Sequence, residues 1–547
     1  MKQKWKEKEF LIAAGLTTVY CLGLFIYAWL SSKFTPADLN GFDYKVPVII
    51  AGIILLLGSL FVVWLIVKKK AEIHQIYLGM AVVIFSVFLW AQPPGHTHDI
   101  QFHFDSTYVL SNKLLKQDTE ELKVGQEVLK SYYRRNCDTF MPYTVFRNYL
   151  QSYRNMQSSM LTEAVTKNTR LVETDTYQGT VSVPLYFYLP QAAGFAIARV
   201  LNLNMFWMLY IGRILLCMVC VLLTYFAIKN VPFGKEIFLL CGLIPTTLLS
   251  YASISRDALI LAVSFYFIAK CLQLVYGEKT GRWWDYCLLF LSLILLVPYK
   301  LVYIPFVLML GLLISKNCEV GKWNKRYIWI AGLAGLLTVG IFVIINFGYL
   351  KAYLTGANFW SMGEGAPFTL PYILANPQKA ISVVGKTLLT ATVRYYANMI
   401  AIGDYGGGIH KEMVVVDTLL MIALVLATNR PENRTRGRIS LRERFLIIFT
   451  WLAISGMIIL AYLLCTPYTN DVIIGVQGRY FTPALPLMIL TFCNIDLLKR
   501  IKNKYWIGIT DFMDRAIVKR WSFLGIYGVA VFVVVNMYVY VVTYVAP

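Results

Sequence analysis

The sequence predicts an all-α polytopic membrane protein with about thirteen transmembrane helices. Three observations carry that prediction. Of the 547 residues, 58% are hydrophobic and only 15% charged, a balance that soluble protein surfaces do not show. Apolar runs of about 17–25 residues recur along the chain, each long enough to cross a hydrocarbon core about 30 Å thick. The Lys and Arg residues gather in the short loops between those runs rather than in one patch, as the positive-inside bias requires.

The runs lie near residues 10–31, 46–67, 75–92, 205–228, 236–253, 258–276, 285–298, 301–315, 327–349, 412–428, 445–465, 480–497 and 521–544. The first resembles a signal-peptide core, but Ser31-Ser32-Lys33-Phe34 is a poor cleavage site, so it reads as a retained helix. Lys2, Lys4, Lys6 and Lys8 precede it, Lys68 to Lys70 follow the second run, and Arg430, Arg434, Arg436, Arg438, Arg442 and Arg444 crowd a later loop. All of these fall on one side if the N-terminus is cytoplasmic, with about 28 basic residues inside against about 10 in the short outer loops. The net charge of +21 is then topology, and no nucleic-acid partner is expected. Most of the cysteines, among them Cys217 and Cys220, sit in or beside apolar runs as small hydrophobes, and no disulfide framework is expected.

Three regions follow: an N-terminal transmembrane hairpin over 1–74, a transmembrane core over 75–411, and C-terminal transmembrane helices over 412–547. The core contains two outer segments. Residues 92–204 form a small soluble subdomain, expected to be helical. In residues 351–411 the stretch Ala380 to Met399, interrupted by Lys386 and Arg394, fits an interfacial helix better than a span.

The chemistry is sought on the outer side. Three of the five histidines, His96, His98 and His103, lie within eight residues together with Asp99 and Asp105. On a helix Asp99 and His103 share a face at i and i+4, and a carboxylate held by a histidine suits general-base work on a hydroxyl. The same residue types also suit a divalent metal, with His96 and His98 as candidate ligands, or a merely solvated loop start. Arg213 within an apolar run, Lys300 between two of them, Arg256 and Asp257 at an outer turn, and Arg479 before Tyr480 are expensive charges that need a reason. Together they outline an outer vestibule suited to a phosphate ester; singly, each reads equally as snorkelling or mutual pairing. The Gly406 to Gly408 run beside Asp404 and His410 lacks the strand and the Gly-Lys-Ser/Thr of a phosphate loop and reads as flexibility.

Several stretches between about residues 90 and 500 resemble a family of uncharacterised bacterial multi-spanning proteins grouped with the GT-C-fold glycosyltransferases. They are Tyr188-Leu189-Pro190-Gln191 with Gly194, Gly212-Arg213, Ser255-Arg256-Asp257, Lys300 to Pro305, and Gly475 to Phe481 with Pro483 and Pro486. The last is the most specific. The resemblance implies a GT-C-like fold, a polyprenyl-phosphate sugar donor, and an acidic residue in an early outer loop as catalytic base, here Asp99. It implies that Arg479 and Lys300 contact the donor phosphate, assisted by Arg256; Arg213 and Tyr480 are expected with them as donor-phosphate-binding residues, and His98, Asp257 and Gln477 as further site residues. The chain departs from the family pattern where His98-Asp99 replaces an acidic pair, which leaves Asp99 and Asp105 both open as the base. It also carries two additional helices ahead of the outer loop.

The expected activity is therefore inverting glycosyl transfer on the outer face of a bacterial cytoplasmic membrane, to a cell-envelope polysaccharide or glycolipid acceptor, with no cofactor required and a divalent metal left open. A lipid-linked oligosaccharide flippase would line its midplane with polar groups and often shows inverted repeats; the charges here sit mostly at one mouth and no repeat is present. A polysaccharide polymerase is the remaining alternative.

Overall fold

A computed structural model describes residues 45–69, 71–91, 100–117, 123–125, 170–173, 185–277, 281–297, 300–314, 325–355, 361–400 and 439–493, with individual positions of 11–26 and 414–425. The helices in chain order are α1 (Lys45–Trp64), α2 (Ile73–Ala91), α3 (Ile100–Leu114), α4 (Leu189–Val200), α5 (Met205–Asn230), α6 (Lys235–Leu243), α7 (Pro245–Tyr251), α8 (Asp257–Tyr276), α9 (Trp283–Leu296), α10 (Lys325–Ile345), α11 (Phe347–Thr355), α12 (Leu370–Ala375), α13 (Pro377–Ile400), α14 (Leu441–Leu463) and α15 (Leu485–Thr491). Short 3₁₀ segments cover Leu185–Tyr188, Leu301–Leu310, Gly478–Tyr480 and Thr482–Ala484.

Among the described residues, α5, α8 and α14 are long and apolar enough to cross a membrane. Two of them have side-chain caps that fix where they start. Asn204 caps α5 by accepting from the Trp207 amide, and Ser440 and Glu443 form a reciprocal capping box on α14. The predicted runs 10–31 and 412–428 are helical wherever they are described, and the run 521–544 lies outside the described residues.

Three predicted spans are not continuous helices, and proline is the common cause. The run 236–253 divides into α6 and α7 at Ile244, whose ψ of 151° is the extended conformation imposed on a residue before proline. Ile237 to Leu243 and Pro245 to Tyr251 are buried throughout, so this broken pair is core rather than lipid-facing. Pro305 lies inside the 3₁₀ segment Leu301–Leu310, where its missing amide hydrogen rules out regular α geometry. Pro483 and Pro486 reduce the start of the run 480–497 to two single turns and the 7-residue α15. α9 has 14 residues, about 21 Å of helix, short of the hydrocarbon thickness of about 30 Å.

The segment 92–204, expected to be helical, is not wholly so. Lys123–Gly125 (β1) and Leu171–Glu173 (β2) pair antiparallel, Lys123 opposite Glu173. The interruption at Lys386 and Arg394 does not break α13, which covers the predicted Ala380 to Met399. Ile381, Leu389 and Val393 are strongly exposed on it, while Lys379 and Lys386 reach Asp471 at 3.2 and 2.9 Å.

α8 and α4 pack along α5, and α3 along α4. A separate small core of Phe104, Tyr108, Phe195, Met205, Met208, Leu209 and Ile254 seats α3 on α4 and α5. Arg199, fully buried, adds polar bonds to that joint: it stacks on Tyr108 at 4.3 Å and donates to Ser111 Oγ at 2.7 Å, Asn112 Oδ1 at 2.8 Å and Gln117 Oε1 at 2.5 Å. The joint matters because it brings α3 to the turn that precedes α8.

Candidate functional site

The turn Ala252 to Asp257, which feeds α8, is braced from every side. Ser253 Oγ accepts from the Ser255 amide at 3.0 Å and Ser255 Oγ from the Asp257 amide at 3.2 Å, the local side-chain bonding that makes serine a turn residue. Gln191 of α4 donates to the Ile254 carbonyl at 3.2 Å, and Arg213 of α5 donates through Nε to the Ala252 carbonyl. Those two donors are brought level by a close helix crossing: a Cβ on Gly194 would stand 2.6 Å from the Gly212 Cα, an approach only glycine permits.

From the other side α3 presents His103. Its Nδ1 lies 2.8 Å from Tyr188 Oη and its Nε2 2.9 Å from Ser255 Oγ, so both ring nitrogens are engaged. Burial above all, then the neighbouring Arg256, holds the imidazole pKa well below its ordinary 6.5; Arg479 and Lys300 act in the same direction against Asp257. The ring is therefore neutral in the folded protein, whereas in the unfolded chain it takes up a proton below about pH 6.5. Since the unfolded state then binds more protons, stability falls as pH drops below that value. Thermal melting of the detergent-solubilised protein is expected to weaken more steeply between about pH 7 and 5 in the wild type than in His103→Gln, which can bond without titrating; parallel curves would remove His103 as the cause.

The charged groups converge at the N-terminus of α8. Asp257 stands between two cations from distant parts of the chain, with Lys300 Nζ at 3.6 Å from Oδ1 and Arg479 Nε at 3.7 Å from Oδ2. Lys300 also lies 4.1 Å over the Tyr480 ring, and Tyr303 Oη donates to the Tyr480 carbonyl at 3.1 Å. Arg256 stacks 4.6 Å over Phe102 and 5.9 Å over Tyr188. Asp257, Tyr303, Arg479, Tyr480, Ser250 and Pro483 line a narrow cleft there.

Arg479 is held in place by a backbone contact. A Cβ on Gly478 would meet the Tyr395 carbonyl oxygen at 2.4 Å and the Met399 nitrogen at 2.5 Å, so the Gly478–Tyr480 turn lies directly on α13. Gly478→Ala must push the two backbones apart, at a cost of about 1–3 kcal/mol. A lowered melting temperature with folded protein still recoverable is the expected result, and an unchanged one would show that the turn can shift freely.

The family match covers residues 80–488, under the description of a predicted membrane protein. The chain belongs to this DUF2142 family. No curated protein and no solved structure matches it. The family region contains every residue of the cleft and leaves out residues 1–79, where α1 and the earlier predicted run lie.

Of the sequence-predicted site residues, the structure brings together His103, Arg256, Asp257, Lys300, Arg479 and Tyr480. Arg213 is fully buried behind the turn, and Gln477 precedes the Gly478–Tyr480 turn, its carbonyl accepting from the Tyr480 amide at 3.2 Å. Asp105 is buried on α3, two residues from His103 and so on another face of that helix. His96, His98, Asp99, Asp404, Gly406 to Gly408 and His410 lie outside the described residues. Among the described residues, no group of three His, Cys, Asp or Glu side chains comes together that could hold a metal. Sequence reasoning missed Ser255 as the partner of His103, and Tyr188 and Gln191 as braces. The signal was present in the resembling stretches, but nothing in their spacing says that they meet at one turn.

Proposed function

We propose that this membrane protein is a glycosyltransferase that moves a sugar from a polyprenyl-phosphate donor to a cell-envelope polysaccharide or glycolipid. The observation that supports this reading best is the convergence, among the described residues, of Arg256, Lys300 and Arg479 around the Asp257 carboxylate, beside the cleft that Asp257 and Arg479 line. Guanidinium and ammonium groups set at a helix N-terminus favour a phosphate. In the proposed reaction the acceptor oxygen attacks the anomeric carbon, the bond from that carbon to the phosphate oxygen breaks, and configuration inverts. The acceptor proton passes to a carboxylate of the first outer segment, Asp99 by the family resemblance, with Asp105 as the alternative. Arg479 and Lys300 offset the charge that develops on the departing phosphate, where preorganised cations are most effective. His103, with both nitrogens engaged, holds the turn that carries Arg256 and Asp257.

The same proposal includes a GT-C-like arrangement of about thirteen spans, an N-terminus in the cytoplasm and a cleft on the outer face of a bacterial cytoplasmic membrane. It keeps the N-terminal hairpin 1–74, the core 75–411 and the C-terminal helices 412–547 as its units. The test is the sugar composition of surface polysaccharide from a deletion strain, with and without the restored wild-type gene. Loss and recovery of one side-branch sugar supports transfer. Loss of the whole polymer while a lipid-linked precursor accumulates would overturn it in favour of a flippase or polymerase.

A further inference from the structure

The Asp257 carboxylate occupies the position that an anionic ligand of this cleft would take. It is the first residue of the 20-residue α8, where the helix dipole favours negative charge, and it faces Lys300 and Arg479 at once. The ion pairs with Lys300 and Arg479 are long. At 3.6 and 3.7 Å they exceed hydrogen-bonding distance, unlike the Lys270–Asp285 pair elsewhere in the protein, which closes to 2.7 Å. Exposure is graded across the trio: the Arg479 side chain is 4% exposed, Asp257 19% and Lys300 27%, so the carboxylate stands at the mouth and Arg479 at the back. The Asp257 amide is tied to Ser255 Oγ, so the carboxylate can swing by side-chain torsion alone while its backbone stays fixed.

We propose that Asp257 is a built-in counter-ion, exchanged for the phosphate of an isoprenyl monophosphate and setting how tightly that group is held. The inference rests on the glycosyl-transfer reading. The charges explain the need for such a device. Among the described charged groups that act on His103, Arg256, Lys300 and Arg479 outnumber Asp257 by two. The donor phosphodiester carries one negative charge, and the departing phosphomonoester carries nearly two at neutral pH. The cluster therefore matches the leaving group best, which favours the transition state, and without Asp257 the excess of three would retain the product. Asp257 lowers that affinity enough for release.

Farnesyl phosphate serves as the probe, with binding measured on the full chain in detergent. Asp257→Asn, and independently Asp257→Ser, is expected to bind it about tenfold or more tightly than wild type, since an anion a few ångströms from the phosphate has been removed. Weaker or equal binding by both variants, with wild type still binding, overturns the counter-ion role and leaves the anion site standing. If wild type prefers farnesyl phosphate no more than farnesol, the anion site and the transfer reading fail together. Should neither variant fold, wild type decides: a preference for farnesyl phosphate over monoanionic farnesyl sulfate of about tenfold or more supports the exchange, and equal affinities overturn it.

Discussion

Asp99→Asn is expected to reduce sugar transfer by about 10²–10⁴-fold, the usual contribution of a general base, without reducing the amount of folded protein. Asparagine keeps the shape of the side chain and removes only its ability to take a proton. The carboxylate would work from just ahead of α3, and α3 is the helix that reaches the Ala252 to Asp257 turn through His103 and Phe102. Asp105→Asn is the necessary companion. Asp105 is buried, so its replacement is expected to act mainly on stability. The measurement is the incorporation of the side-branch sugar at matched membrane levels. Full turnover by Asp99→Asn with loss in a folded Asp105→Asn protein would transfer the base role to Asp105.

Arg479→Ala is expected to cost about 10²–10³-fold in turnover, the scale of losing one preorganised charge-stabilising donor. It should also weaken the fold, because Asp257 then loses one of the cations it faces in a mostly buried position. The two effects separate in the double variant Arg479→Ala, Asp257→Asn, which removes the carboxylate along with the guanidinium it faces. Thermal melting should recover toward wild type in the double variant while transfer stays low. Recovery of both would show that Arg479 serves only to neutralise Asp257. Arg479→Lys is expected to restore transfer in part, since charge returns without the planar guanidinium fork.

Membrane character, the helical class and the identity of the costly charges were legible in the sequence by itself. Hydrophobic composition and run length are local properties, and a charge beside an apolar run is expensive wherever the chain goes. α5, α8, α14 and α13 appear where those rules put them. Proline positions were equally plain to read, yet their consequence was not. Pro245 turns one expected span into the buried pair α6 and α7 because backbone freed by a proline is tolerated in apolar surroundings only where neighbouring protein encloses it, and enclosure is a tertiary property. The same holds for the cleft. His103 and Ser255 are 152 residues apart and Lys300 and Arg479 are 179 apart along the chain, so nothing local brings them together. Packing of α3 on α4 and of α4 on α5, the glycine crossing at Gly194 and Gly212, and the seat of Gly478 on α13 decided that scattered charges form one site and that Arg213 stands behind it. Side-chain contacts between distant segments follow from how helices pack, and helix packing is set by the fit of whole surfaces rather than by spacing along the chain.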